Sequence, residues 1–250
     1  MKYLYIFITL VSLLPALPGV AAAQTVKGQY IVFAEQEQSS PVIKTRVLVT
    51  KDFVRFDDGE GKDDYLVFDR GQKTLYNVRN DNHTIMLIRA KDRPLDPPFE
   101  LKRTVKVVNS MNDAPEIHGE KPVHRQYLTN GKVCIDVISV KGLMPEAVTA
   151  LKEFQEILAS DSKMTFNNMP ADLQKPCDID MNTFNPTRHL SHGFPIQEWK
   201  PGYKRSLVDY KEHYDIDPKL FELPDGYFRF SVQQMREGRV DFDNQKIVND

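Results

Sequence analysis

The chain has 250 residues, 33 lysines and arginines against 35 aspartates and glutamates, a formal net charge of -2 and 41% hydrophobic residues. Charge so nearly balanced, with no clustered basic face, excludes the electrostatic footprint of a nucleic-acid binder. The length is enough for one sizeable domain with a real core.

The first residues read as an export signal. Met1 and Lys2 give a basic start, residues 3–17 are almost wholly apolar, and "GVAAAQ" offers small residues for a signal peptidase, which predicts cleavage after Ala23. The apolar run is shorter than the roughly 18 residues of a spanning helix and is broken by Pro15 and Pro18, so no transmembrane anchor is expected after cleavage. Residues 24–235 are then predicted as a single domain and 236–250 as a charged, weakly apolar tail, a short helix or a frayed end.

From Gly28 to Ile88, short apolar runs alternate with turn formers: "QYIVFA", "VIKTRVLVT", "FVRFD", "DYLVFD", "KTLYNV" and "HTIMLI". Their spacing and their β-branched and aromatic content predict a meander of antiparallel strands. In "TRVLVT" and "DYLVFD" both strand parities carry apolar side chains. A sheet with one wet face would alternate cleanly, so part of this sheet is covered on both faces or lines a cavity.

The acidic stretch "RFDDGEGKDDYLVFD", from Arg55 to Asp69, raises a calcium reading. Counting from Asp57, the third and fifth places are Gly59 and Gly61, so the ligand positions of a calcium loop are empty. A glycine-bearing turn between two strands is the expectation.

"RAKDRPLDPPFE", with Pro94, Pro97 and Pro98, reads as a connecting loop. Strands resume in "LKRTVKVV", and "VHRQYLT" turns at Asn130-Gly131 into "KVCIDVISV", a hairpin because Asn-Gly supplies the positive φ angles of a tight turn. "GLMPEAVTALKEFQEILAS" changes period. Pro145 suits a first helical position, and Ala147, Leu151, Phe154 and Leu158, widened by Val148 and Ile157, form one apolar stripe. Its only large partner is the sheet. Further strand runs follow in "FPIQEW" and "YKRSLVDYKEHY", and the domain closes in "DPKLFELPDGYFRFSV".

The chemical candidates are few. Cys134 and Cys177 are the two cysteines, neither in a C-x-x-C motif, and an exported chain meets oxidising conditions, so a disulfide between them is predicted. "HLSH" places His189 and His192 three apart among Pro186, Gly193 and Pro195, a loop context with no third ligand, which predicts surface histidines and no zinc site. Asp178 and Asp180 read as solvated, and Trp199 as a core anchor. Neither G-x-S-x-G nor H-E-x-x-H is present, so no catalytic residue, metal ligand or cofactor is assigned.

The order of elements, with the line "VRFDD...DYLVFDRGQKTLYNV" from Val54 to Val78 and an F-x-x-P-x-G-Y closure at Phe221, Pro224, Gly226 and Tyr227, resembles the LolA-like superfamily of bacterial envelope proteins. The likeness is nearest to its DUF4412 group and spans about residues 26 to 232. The resemblance implies an α+β fold: a curved, open antiparallel β-sheet, a half-barrel, with the amphipathic helix on its concave face and an apolar cavity between them. It implies a periplasmic, non-catalytic binding protein for a lipid or a lipidated partner. The alternative is an envelope interaction or sensor module whose cavity is filled by its own side chains; a metal-assisted hydrolase comes last. The carriers of this superfamily begin with a lid helix, whereas here only a few residues separate the predicted cleavage site from the first strand.

Overall fold

The computed structural model describes residues 24–61, 64–91 and 94–248. The predicted signal segment, residues 1–23, lies outside the described residues. The fold is α+β, with one open sheet of twelve strands and a few helices.

The first half of the sheet is the predicted meander: β1 (Val26–Glu37), β2 (Ile43–Val49), β3 (Phe53–Asp57), β4 (Tyr65–Asp69), β5 (Thr74–Arg79) and β6 (Thr84–Arg89). After the proline-rich loop come β7 (Arg103–Asn109), β8 (Val123–Thr129) and β9 (Lys132–Val140), with the hairpin turning at Asn130 (φ 50) and Gly131 (φ 78). Then follow helix α1 (Pro145–Thr165), a run of short helical turns that includes α2 (Pro176–Ile179), and strands β10 (Phe194–Lys200) and β11 (Tyr203–Ile216).

The two halves join along their longest strands, β1 and β11, in antiparallel register from Val26↔Ile216 to Glu37↔Tyr203. The closing strand β12 (Phe228–Ser231) corrects the all-antiparallel expectation. It pairs with β6 in parallel, from Phe228↔Thr84 to Ser231↔Leu87. The chain reaches that edge by crossing the outer face rather than by a hairpin, and a strand arriving by a crossover can run parallel. Helix α3 (Val232–Arg236) carries a capping box from Ser231 and Gln234 and leads into the expected tail, whose described residues fold: β13 (Val240–Asp241) pairs with β14 (Lys246–Ile247). Phe242 meets Phe230 edge to face at 5.3 Å, tying this end to the sheet.

Helix α1 lies across the strands. Near its start, the buried Gln29 of β1 accepts a hydrogen bond from Ala147 N through Oε1 at 2.8 Å. This satisfies one of the amides that a helix leaves open at its N-terminus, where Met144 supplies no side-chain cap. In the middle, Arg70 beyond β4 donates to both oxygens of Glu153, at 2.6 and 3.0 Å. Near its end, Ser160 Oγ accepts from Lys91 N and donates to Lys91 O, beyond β6. Thirteen residues of helix advance about 20 Å, close to the roughly 24 Å of five inter-strand steps.

The helix buries Ala147, Ala150, Leu151, Phe154, Ile157 and Ala159. Leu158, predicted on this stripe, is 37% exposed. Against the buried stripe pack Ile31, Phe33, Val47, Val49, Val54, Phe68, Leu75, Val140 and Phe194. Phe154 closes on Phe56 at 4.6 Å and on Phe68 at 6.2 Å.

The other strand parity has its own cover. On the outer face Leu48 and Ile216 form a second cluster with Phe221, flanked by Tyr30, Phe53, Tyr214 and Leu220. The segment after Ile216 folds back over the sheet, Phe221 stacks on Phe53 at 5.4 Å, and Arg55 Nη1 donates to Leu220 O at 2.5 Å. The "LFELP" closure therefore covers the strand parity that faces away from α1, and apolar residues on both parities reflect two packed faces.

Candidate functional site

Three features gather the chemistry: a groove at the end of α1, a buried polar cluster under the short helices, and the acidic turn.

The groove opens where the C-terminal half of α1 leaves the sheet. Its volume is about 720 Å³, within the range of ligand sites. Phe68, Ile157 and Phe184 supply apolar wall, and Lys73, Lys91 and Lys163 supply cations. Arg70 also lines it but is held by Glu153 and by the carbonyls of Thr50 and Lys51. By contrast, the space between mid-helix and sheet is occupied by the side chains of Phe33, Phe56, Phe68, Phe154 and Phe194.

The polar cluster begins at the predicted histidines. His189 is not on the surface: it is 5% exposed, on a 3-10 turn (Arg188–Leu190) tucked beside β10. Its Nε2 lies 3.6 Å from Glu198 Oε1. Glu198, itself 2% exposed, accepts a hydrogen bond from Arg205 Nη2 on the paired strand. Burial lowers the His189 pKa, and the Arg205 and Lys200 charges add to this, while Glu198 and the Pro186 carbonyl oppose it. Burial pushes Glu198 the other way, but Arg205 and His189 outweigh it and hold the carboxyl below its usual range. The ground state is thus a neutral imidazole beside a carboxylate–guanidinium pair. His192 is exposed and its Nδ1 meets Tyr127 Oη at 2.9 Å, away from this pair.

Asp180 also departs from expectation, being fully buried, whereas Asp178 is exposed as predicted. Asp180 Oδ1 accepts from Arg103 Nε at 2.8 Å, and Oδ2 accepts from Arg188 Nη1 at 2.7 Å and Thr129 Oγ1 at 2.6 Å. Arg188 Nη2 donates onward to the carbonyls of Leu128 and Thr104. This network is satisfied at every oxygen and joins β7, β8 and the short helices, a structural lock. Nearby, Cys134 and Cys177 form the predicted disulfide, with Cα atoms 5.1 Å apart and a sequence separation of 43.

The acidic turn holds its carboxylates for itself. Asp57 is 7% exposed, not wet, because Arg46 and Arg55 both bind it, at 2.7 and 2.6 Å. Asp58 Oδ1 accepts from the amides of Glu60 and Gly61. Among the described residues no group of three or more His, Cys, Asp or Glu could hold a metal ion, and no helix is long and apolar enough to cross a membrane. Trp199 is half-buried against His124, with ring centroids 5.0 Å apart, and not in the core.

Sequence reasoning missed the cluster because "HLSH" between prolines and glycine carries a loop signature. The available signal was Glu198, a charged residue in the short, largely apolar run of β10; Arg205 carries none, since β11 is charged and half-exposed along most of its length.

No family model matches this chain, and no curated protein matches it. Among solved structures, two crystal forms of PNGF-II are similar. One aligns at 8% identity and a TM-score of 0.40, covering 85% of this chain and 33% of that protein. The other aligns at 8% identity and 0.38, covering 88% and 32%. The chain therefore spans about a third of the length of the structures it matches. A likeness of this size assigns neither family nor activity.

Proposed function

We propose that this chain is an exported, non-catalytic binding protein of the bacterial periplasm with LolA-like architecture, whose ligand is a lipid or the acyl chain of a lipidated partner. The observation that carries the reading is the groove at the end of α1, which sets apolar wall beside a lysine rim, Lys73 and Lys163, with Lys91 bonded to Gln233. An amphiphile needs that combination: its chain lies on Phe68, Ile157 and Phe184, and its anionic head meets Lys73 or Lys163.

The half-barrel form is supported by chain length. Ten inter-strand steps separate β6 from β7, about 48 Å across a flat sheet. The connection from Arg89 to Arg103 spans at most about 50 Å when fully stretched. A connection with slack favours an approach of the two regions by curvature, and Leu95 and Leu101 on that connection pack with Phe166 near the end of α1.

The test is native mass spectrometry of protein purified from its own periplasm, with uptake of a fluorescent fatty acid. Co-purified lipid and saturable uptake, both lost on Ala90→Trp in the groove, are expected. Absence of both would overturn the carrier reading. The second reading, an envelope interaction or sensor module, is favoured by the aromatic filling between α1 and the sheet, and it predicts no lipid in either assay.

A further inference from the structure

A second concavity lies on the other flank of α1 and is independent of the groove. Glu198 and Arg205 face each other across β10 and β11, and Arg205 lies over the Phe33 ring at 4.4 Å. Their pairing is incomplete. Glu198 Oε1, Arg205 Nε and His189 Nδ1 are buried with no hydrogen-bond partner. Each such group left unmade costs about 1–3 kcal/mol, and more when charged. Three orphans in one cluster therefore call for a partner that protein atoms do not supply.

All three residues line one cavity of about 170 Å³, together with Gln155, Asn182 and Tyr203. A water takes about 30 Å³ in the liquid, so the space holds several waters or one small solute. Lys200, an exposed residue, also lines it.

We propose that this cavity is a binding site for a small, uncharged, hydroxyl-bearing solute of the polyol class. The three orphans ask for opposite things. Glu198 Oε1 needs a donor, Arg205 Nε needs an acceptor, and neutral His189 offers one of each between its two nitrogens. A hydroxyl donates and accepts at once, so adjacent hydroxyls serve all three. An anion would satisfy Arg205 but face the Glu198 carboxylate, and a cation would face Arg205 and Lys200. The side-chain amides of Gln155 and Asn182 extend the same mixed donor–acceptor lining.

The test follows the Arg205 Nε–H resonance by nitrogen-15 NMR in the mature protein, during titration with glycerol, erythritol and myo-inositol. Acetate and ethylammonium serve as charged controls. A saturable shift with at least one polyol and with neither control is expected. Glu198→Gln should weaken it about tenfold, the loss of one hydrogen bond to a charged group. Because Glu198→Gln disturbs a buried pair, Gln155→Leu provides an independent arm at a half-exposed wall position, also with weakened binding and an unchanged circular dichroism spectrum. Ala90→Trp should leave polyol binding intact, which separates this site from the groove. Preferential binding of acetate or ethylammonium would overturn the proposal, as would contacts to water alone with no shift from any polyol.

Discussion

His189 Nε2 stands 3.6 Å from Glu198 Oε1, both side chains buried and the separation too long for a hydrogen bond. The pair makes the fold acid-sensitive. Burial holds His189 below its usual 6.5, so near that pH the unfolded chain binds more protons than the folded one. Stability therefore falls as pH drops below about 6.5, by at most about 1.4 kcal/mol per pH unit for one proton. His192, also lowered by burial and by Arg125, contributes with the same sign. Glu198 acts lower down: its folded pKa lies below the usual 4.5, so its contribution is present above that value and lost as pH falls through the folded one. Denaturant melts between about pH 7 and pH 5 should show this loss, with a shallower slope in His189→Gln. Parallel slopes in the two proteins would remove His189 from the account.

Asp180 is the keystone of the lock beneath β7 and β8. Truncating it to alanine leaves Arg188 buried without its carboxylate, and removal of one partner from a buried pair costs about 3–5 kcal/mol. Asp180→Ala should lower the urea midpoint accordingly. Exchange of the β7 amides should also accelerate, because Arg103 is anchored through the same carboxylate.

The Cys134–Cys177 bridge closes a loop of 43 residues around β9 and α1. The chain-entropy model gives about 4 kcal/mol for a loop of this size, and measured values run at about 2–4 kcal/mol. A double Cys134→Ser, Cys177→Ser variant should melt earlier by that amount under non-reducing conditions, and reductant should shift the wild type alone.

The face of α1 is tested by a pair of substitutions. Phe154, 9% exposed against Phe56 and Phe68, should cost about 3–5 kcal/mol on truncation to alanine. Leu158→Ala, at a position 37% exposed, should change stability within about 0.5 kcal/mol. Equal losses would mean that the helix packs in the rotation its sequence stripe predicted.

Calcium should leave the melting temperature unchanged, since Asp57 is occupied by two arginines and Asp58 by backbone amides. A rise in Tm that saturates with calcium would restore a cation role for the acidic turn.

Local chemistry by itself determined most of the elements. The six-strand meander, the Asn130-Gly131 hairpin, the α1 segment and the Cys134–Cys177 pair are legible because spacing, β-branching, turn residues and the number of cysteines act over short stretches or leave a single partner. The pairing of β1 with β11, the parallel arrival of β12 beside β6, and the cover that Phe221 gives the outer face join residues more than a hundred positions apart, and no local pattern encodes them. The same holds for the polar clusters. Asp180 and His189 sit in segments whose composition predicts solvent, and burial came to them only when α1, β8 and β10 closed over the short helices. Sequence periodicity reports which side chains avoid water; which charged groups are carried out of water along with them is fixed by the packing of distant elements.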